Sequence, residues 1–195
     1  MSEGAPWQLL RDLPAEPWRN GGGFTRTVAR HATPAGDLWR VSAAEITASG
    51  PFSTFAAMSR HATLIAGGPL CLQTGSHAHA LKAIGDMACF SGDDPSAVTT
   101  LDAPARLWNV MGRHGQVATS VTLHRHWPPE GGEVRPLVGE LPGVVHILLM
   151  LTGAQAGAVW VLPEQKGAPP WPRVPPDGLL LHTELRPLAA GYSAA

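Results

Sequence analysis

Proline and glycine recur so densely along this chain that no long helix can be threaded through it. Of 195 residues, 22 are glycine and 19 are proline, about a fifth of the total. A proline inside a helix costs about 3 kcal/mol, because it lacks the N–H and its ring clashes with the preceding turn. Between the breaks lie short runs rich in β-branched and apolar residues. Residues 24–30 (FTRTVAR), 39–46 (WRVSAAEI), 62–66, 70–74, 106–113, 116–124, 144–152, 157–162 and 179–186 read as strands. Gly67-Gly68-Pro69 and His114-Gly115 each predict a hairpin between their flanking runs. No helical period is sustained over a dozen residues. The expectation is an all-β sandwich or barrel.

Two stretches interrupt the strand pattern. Residues 92–104 are polar and turn-rich. Residues 163–176 hold six prolines in fourteen positions, so they cannot form a central strand. The latter reads as a surface connector, with a partner-binding segment as the alternative.

Composition narrows the class further. With 44% hydrophobic and 15% charged residues, the chain is not of the disordered type. A net charge of −1 gives no field for phosphate backbones, so nucleic acid is not an expected partner. The start of the chain lacks an apolar run behind a basic one, and Val144–Leu151 is too short to span a bilayer. Cys71 and Cys89 cannot build a disulfide framework and are expected to be reduced. A cytoplasmic protein without a membrane partner is expected, with a homodimer as the default assembly.

The sharpest local pattern is Pro17-Trp18-Arg19-Asn20-Gly21-Gly22-Gly23-Phe24-Thr25-Arg26. No Gly-Lys-Ser/Thr follows, so it is not a phosphate-binding P-loop. It reads either as a tight turn feeding a strand or as a pocket rim whose glycine amides cradle an anion.

With Thr25-Arg26, the run Trp18-Arg19-Asn20-Gly21-Gly22-Gly23 resembles the amino-terminal pattern of the HutD family of HutD/Ves-like proteins. Three further stretches resemble that family in the same order. They are Trp39–Ile46, then Gly50-Pro51-Phe52-Ser53-Thr54-Phe55 with Arg60, and Phe90-Ser91-Gly92-Asp93 followed by Asn109-Val110-Met111-Gly112-Arg113. The resemblance implies a bicupin, two packed cupin-type (RmlC-like jelly-roll) β-barrels. Residues 1–100 would form the first barrel and 101–195 the second, with strands exchanged between the halves as a variant. It also implies a small-molecule binder that regulates or assists histidine utilisation, rather than an enzyme.

Cupins often hold a metal, and two histidine pairs have the spacing for it. His77 and His79 share a strand face, as do His124 and His126. Ala83 and Ile84 stand where the cupin glutamate would follow, so the set lacks its carboxylate. No metal, no cofactor and no catalytic residue are therefore expected. The alternative is a metal-dependent cupin enzyme, an isomerase or dioxygenase. A purely structural or interaction module is a third reading. Asp93-Asp94, before Pro95, reads as a solvated turn.

Polar residues inside strand-like runs carry the ligand expectation. Arg40 shares a face with Ser42, and Asn109 with Met111 and Arg113. Arg26 sits among Phe24 and Val28. A buried guanidinium needs a carboxylate partner. That partner is either another residue, in a salt-bridge network, or a ligand in an anion-binding interior. The candidate ligand residues are Trp18, Asn20, Thr25, Arg26, Arg40, Ser42, Asn109 and Arg113, expected to converge on one cavity. The expected partner is a small acidic metabolite of the urocanate or formylglutamate kind, which guanidinium groups bind in two-pronged fashion.

Overall fold

The computed structural model describes residues 8–125, 143–163 and 178–188. In chain order the strands are β1 (Gln8–Leu9), β2 (Glu16–Pro17), β3 (Gly23–Thr33), β4 (Gly36–Ile46), β5 (Gly50–Pro51), β6 (Met58–Gly67), β7 (Leu70–Thr74), β8 (His77–Leu81) and β9 (Met87–Ser91). They continue as β10 (Ser96–Leu101), β11 (Ala105–Arg113), β12 (Val117–His124), β13 (Val145–Met150), β14 (Ala158–Pro163) and β15 (Leu180–Pro187). The fold is all-β, as expected. One 3-10 turn, Leu10–Asp12, is the sole helical element among the described residues.

Three antiparallel sheets stack in layers. The central sheet runs β2-β3-β4-β11-β6-β9. Strand alternation sends its residues to two faces. On one face Ile46, Ala62, Leu64, Ala88 and Leu107 pack against Leu70, Leu72, Leu81 and Val98 of the sheet β5-β10-β7-β8. On the other, Val41, Ala43, Trp108 and Val110 pack against Ile147, Leu149, Val159 and Leu181 of the sheet β1-β14-β13-β15-β12. Trp108 Nε1 donates to Thr183 Oγ1 at 2.9 Å, so the indole is satisfied inside this second core.

Both expected hairpins turn out to be crossovers. β6 lies in the central sheet and β7 in the four-stranded one, while β11 lies in the central sheet and β12 in the five-stranded one. Glycine allows the sharp reversal in either case, and the apolar faces decide which sheet the next strand joins. The stretch 92–104, expected to be a break, contains β10, which pairs with both β5 and β7. A division near residue 100 does not coincide with a sheet boundary. β11 follows it yet pairs with β4 and β6, and β1 from the start of the chain pairs with β14. Among the described residues no helix is long and apolar enough to cross a membrane.

Candidate ligand-binding site

A cavity of about 590 Å³ opens between the four-stranded face of the central sheet and the loop that follows β5. Its floor is set by strand register. Arg40, Met111 and Arg60 stand in one cross-strand row on β4, β11 and β6. Ser42 and Asn109 form the next row, and Ala44 lies beyond. Pro51, Phe52, Ser53 and Phe55 close one side, and Pro17, Trp18, Arg19, Asn20 and Thr25 close the other. Among the described residues no aspartate or glutamate lines the cavity.

Arg60 is the central group. Its residue is 3% exposed. Its guanidinium carbon lies 4.8 Å from the Phe90 ring centroid, 5.1 Å from Phe55 and 6.0 Å from Phe52. Nη1 donates to the Ser53 carbonyl at 3.2 Å, and Nε has no hydrogen-bond partner among the described residues. Burial lowers its pKa to about 10, so it stays a cation at neutral pH. The three rings supply cation–π attraction, yet no carboxylate of the described residues pairs with it. Two stretches singled out in the sequence build this cage. Phe55 N–H donates to the Gly92 carbonyl at 2.8 Å, and Gly92 N–H donates to the Met58 carbonyl at 2.7 Å.

Arg40 is the second cation. Nη2 donates to Thr27 Oγ1 at 2.7 Å, Glu16 Oε2 stands 4.0 Å away, and Nε has no partner among the described residues. Asn109 Nδ2 donates to the Leu107 carbonyl at 3.5 Å, and Oδ1 is without a donor among the described residues.

The glycine-rich rim is a turn. Gly21 N–H donates to the Trp18 carbonyl at 3.0 Å, and Gly22 N–H to Asn20 Oδ1 at 3.1 Å. These two amides are engaged within the turn, in keeping with the tight-turn alternative. Asn20 Nδ2 ties the turn to the Pro51 carbonyl at 3.2 Å, and Trp18 Nε1 donates to Thr25 Oγ1 at 2.8 Å. The Trp18 ring meets Phe52 edge-on, 5.5 Å between centroids. At Gly23 an added Cβ would stand 2.1 Å from the Glu45 carbonyl oxygen, so only glycine lets β3 approach β4 there.

Six of the eight expected residues line the cavity: Trp18, Asn20, Thr25, Arg40, Ser42 and Asn109. Arg26 and Arg113 do not. Thr25 pairs with Ala44 and faces the cavity, so its neighbour Arg26 must face away. Arg26 bonds the Leu13 carbonyl and pairs with Glu45 at 3.5 Å, and Arg106 pairs with the same carboxylate at 3.0 Å. Arg113, at the end of β11, donates to the Asp37 carbonyl at 2.8 Å and braces the β3–β4 turn. The convergence of three expected arginines is therefore corrected, and Arg60 takes the place of the two that leave. Its signal was in the sequence: on β6 it alternates with Met58, Ala62 and Leu64, an apolar setting for a charge.

Among the described residues no group of three His, Cys, Asp or Glu is arranged to hold a metal ion. His77 is exposed at the start of β8, and His79 Nε2 is hydrogen-bonded to Thr74 Oγ1 at 2.9 Å. His126 and residues 164–177 lie outside the described residues. Cys71 and Cys89 are free thiols.

Comparison with known proteins gives a consistent set of relatives. The HutD family model matches residues 10–134. An uncharacterised 21.2 kDa protein in the hutC 3′ region of Pseudomonas putida is 38% identical over 109 residues, 53% of this chain and 57% of that protein. Protein Ves of Escherichia fergusonii is 40% identical over 86 residues, 43% of this chain and 44% of its own length. The chain thus spans about half the length of these two relatives. Protein Ves of Citrobacter koseri is 28% identical over 179 residues, covering 90% of this chain and 91% of that one. The solved structure of HutD from Pseudomonas fluorescens SBW25 superposes with a TM-score of 0.69 at 19% identity. It covers 94% of this chain and 99% of that one, a likeness of fold.

Proposed function

Because the chain belongs to the HutD family, we propose that it is a small-molecule-binding protein that takes an acidic metabolite beside Arg60 and regulates or assists histidine utilisation. The observation that carries this reading is the buried Arg60 cation, which lines the cavity without a carboxylate among the described residues. A buried guanidinium held, among the described residues, by rings and one carbonyl gains two charge-assisted bonds from a ligand carboxylate, roughly 1.5–3 kcal/mol each. Arg40, on the same row with β11 between them, supplies a second donor. The relative in the hutC 3′ region supports the link to histidine breakdown. Urocanate-like and formylglutamate-like acids are the ligand class. A cytoplasmic homodimer belongs to the same reading.

Calorimetric titration of urocanate and N-formylglutamate into the wild type and Arg60→Met tests it. Methionine fills similar space without the charge, and replacing a buried ion by an apolar group is often neutral or stabilising. Acid binding in the wild type, lost in a variant that melts no lower, is the expected result. Unchanged acid binding in a less stable variant would show that Arg60 is structural.

A further inference from the structure

On the opposite face of the central sheet from the cavity, an exposed thiol meets a histidine. Strand alternation turns His61 away from the Arg60 face, and Cys89 is its cross-strand partner on β9. β9 is the outer strand of that sheet, and Cys89 is exposed on it. Cys89 Sγ stands 3.3 Å from His61 Nδ1. His61 Nε2 stands 2.9 Å from Thr119 Oγ1, which β12 brings from the five-stranded sheet. A nucleophile within reach of a base, with the base oriented by a third group, is the arrangement that activates a side chain for covalent chemistry.

Space for the third group comes from Gly112 on β11. Its φ is not of the left-handed kind, and an added Cβ there would stand 2.6 Å from Thr119 Cγ2. A side chain at that position would push Thr119 off the imidazole. Burial pushes the Cys89 thiol up and the His61 imidazole down, so both rest uncharged at neutral pH. The S–H then donates to Nδ1, and Nε2–H donates to Thr119 Oγ1.

We propose that Cys89 is a modification site that exchanges with low-molecular-weight disulfides, with His61 as its general base and Thr119 as a positioning residue. Nδ1 takes the thiol proton as Sγ attacks one sulfur of the disulfide. The new Sγ–S bond forms while the S–S bond of the reagent breaks. The departing thiolate takes the proton from Nδ1 and leaves as a thiol. Cys89 is thereby oxidised to a mixed disulfide, and half of the reagent is reduced. Cys71, the other cysteine of the chain, is on β7 in the four-stranded sheet, across the central sheet from Cys89. It is not placed to resolve the adduct, which persists until an outside thiol reverses it.

In a Cys71→Ala background, thiopyridone release from 4,4′-dithiodipyridine times the exchange at Cys89 alone. Each rate is divided by that of reduced glutathione in the same solution. The folded chain should react at least about tenfold faster than the same chain unfolded in urea, a modest share of what a positioned base supplies. His61→Gln should lose that advantage without a lower melting temperature, and His61→Asn reads the same loss should the glutamine variant fail to fold. Thr119→Val should slow the exchange several-fold, and Thr119→Ser should restore it. In the wild type, bis(2-hydroxyethyl) disulfide should leave its adduct on Cys89 before Cys71, as read by peptide mass. An advantage short of tenfold, one that survives loss of the imidazole in a folded variant, or an adduct formed first on Cys71 overturns the proposal.

Discussion

The Asp93 carboxylate accepts a hydrogen bond from the backbone N–H of Ala57 at 3.0 Å, and Ala57 is the one described non-glycine residue with a positive φ, 59°. An alanine in that region meets its own carbonyl, so something must hold it there. The hold matters because residues 52–57 carry Phe52, Ser53 and Phe55 to Arg60. Asp93 lies in an exposed turn, as its sequence context suggests, and from there it also positions the cage.

Removing that hold should loosen the cage. Asp93→Ala is expected to lower both the melting temperature and acid affinity. Ala57→Gly, which removes the steric conflict, should recover part of both in the Asp93→Ala background. Bonds from Ala57 and Ser91 keep the Asp93 pKa below the usual carboxylate range. Its contribution is thus present above the ordinary carboxylate range and lost as pH falls through the lower folded value. An Asp93→Ala variant with wild-type melting and affinity would sink this account.

Gly92 is held by space alone. An added Cβ would lie 2.3 Å from the Phe55 carbonyl oxygen and 3.0 Å from that of Met58. Both atoms belong to backbone that cannot rotate aside. Gly92→Ala should therefore move the 52–57 loop and reduce acid affinity, whereas Gly115→Ala, with nothing within 4 Å of the added carbon, should leave affinity unchanged. Gly115 has a φ of 67°, so that variant loses some stability instead. Titration of both variants with the same acid separates the two effects.

Strand existence was legible in the sequence because alternation and turn residues are local signals. Partner choice was not. The turns after β6 and β11 look like hairpins, yet each sends the chain to another sheet, since a turn fixes direction and the apolar faces fix the neighbour. Parity explains both the hits and the misses at the site. Arg40 and Ser42 share one face by parity, and the pairing of Asn109 with Ser42 joins that face to β11. Adjacent residues cannot share a face, so Thr25 and Arg26 cannot both line one cavity. Arg113 satisfied parity but stands at a strand end, where its long side chain folds back on the β3–β4 turn. Arg60 showed the same signal as Arg26, a charge among apolar alternation. Its cage comes from segments more than thirty positions apart, Phe52–Phe55 and Phe90, a proximity no local pattern carries.

The five-stranded sheet carries a second titration. His182 is held down to about 4 from its ordinary 6.5 by burial and by repulsion from His146 and His124, with Glu184 opposing. His146 Nδ1 and His182 Nε2 share a hydrogen bond at 3.0 Å, so one ring at least is a neutral acceptor. As pH falls from 6.5 the unfolded chain takes up this proton and the folded one does not. Stability should therefore drop between about pH 6.5 and 4, at about 1.4 kcal/mol per unit of pKa difference. The direction is the same for His61 and His124, whose pKa values burial also lowers. Urea midpoints at several pH values should show a shallower slope for His182→Gln than for the wild type. Parallel slopes would remove His182 from the account.

Arg40 and Arg26 offer a paired test of what each guanidinium does. They occur on neighbouring strands, and both are largely buried, at 19% and 18% side-chain exposure. Arg40 lines the cavity, whereas Arg26 completes an internal pair with Glu45 that Arg106 shares. Arg26→Ala leaves Glu45 with one cation instead of two and frees the Leu13 carbonyl. It should lower stability by about 1 kcal/mol and leave acid affinity alone. Arg40→Lys keeps the charge but loses the planar fork that grips a carboxylate with two bonds. It should weaken acid binding by about tenfold, one bond's worth, with a small change in melting temperature, because an ammonium can still reach Thr27 Oγ1. Melting curves and calorimetry on both variants give four numbers with one expected pattern: stability moves for Arg26, affinity for Arg40. The reversed pattern would place the anion site on the other face of the sheet, beside Glu45, where a carboxylate already occupies the position a ligand would need.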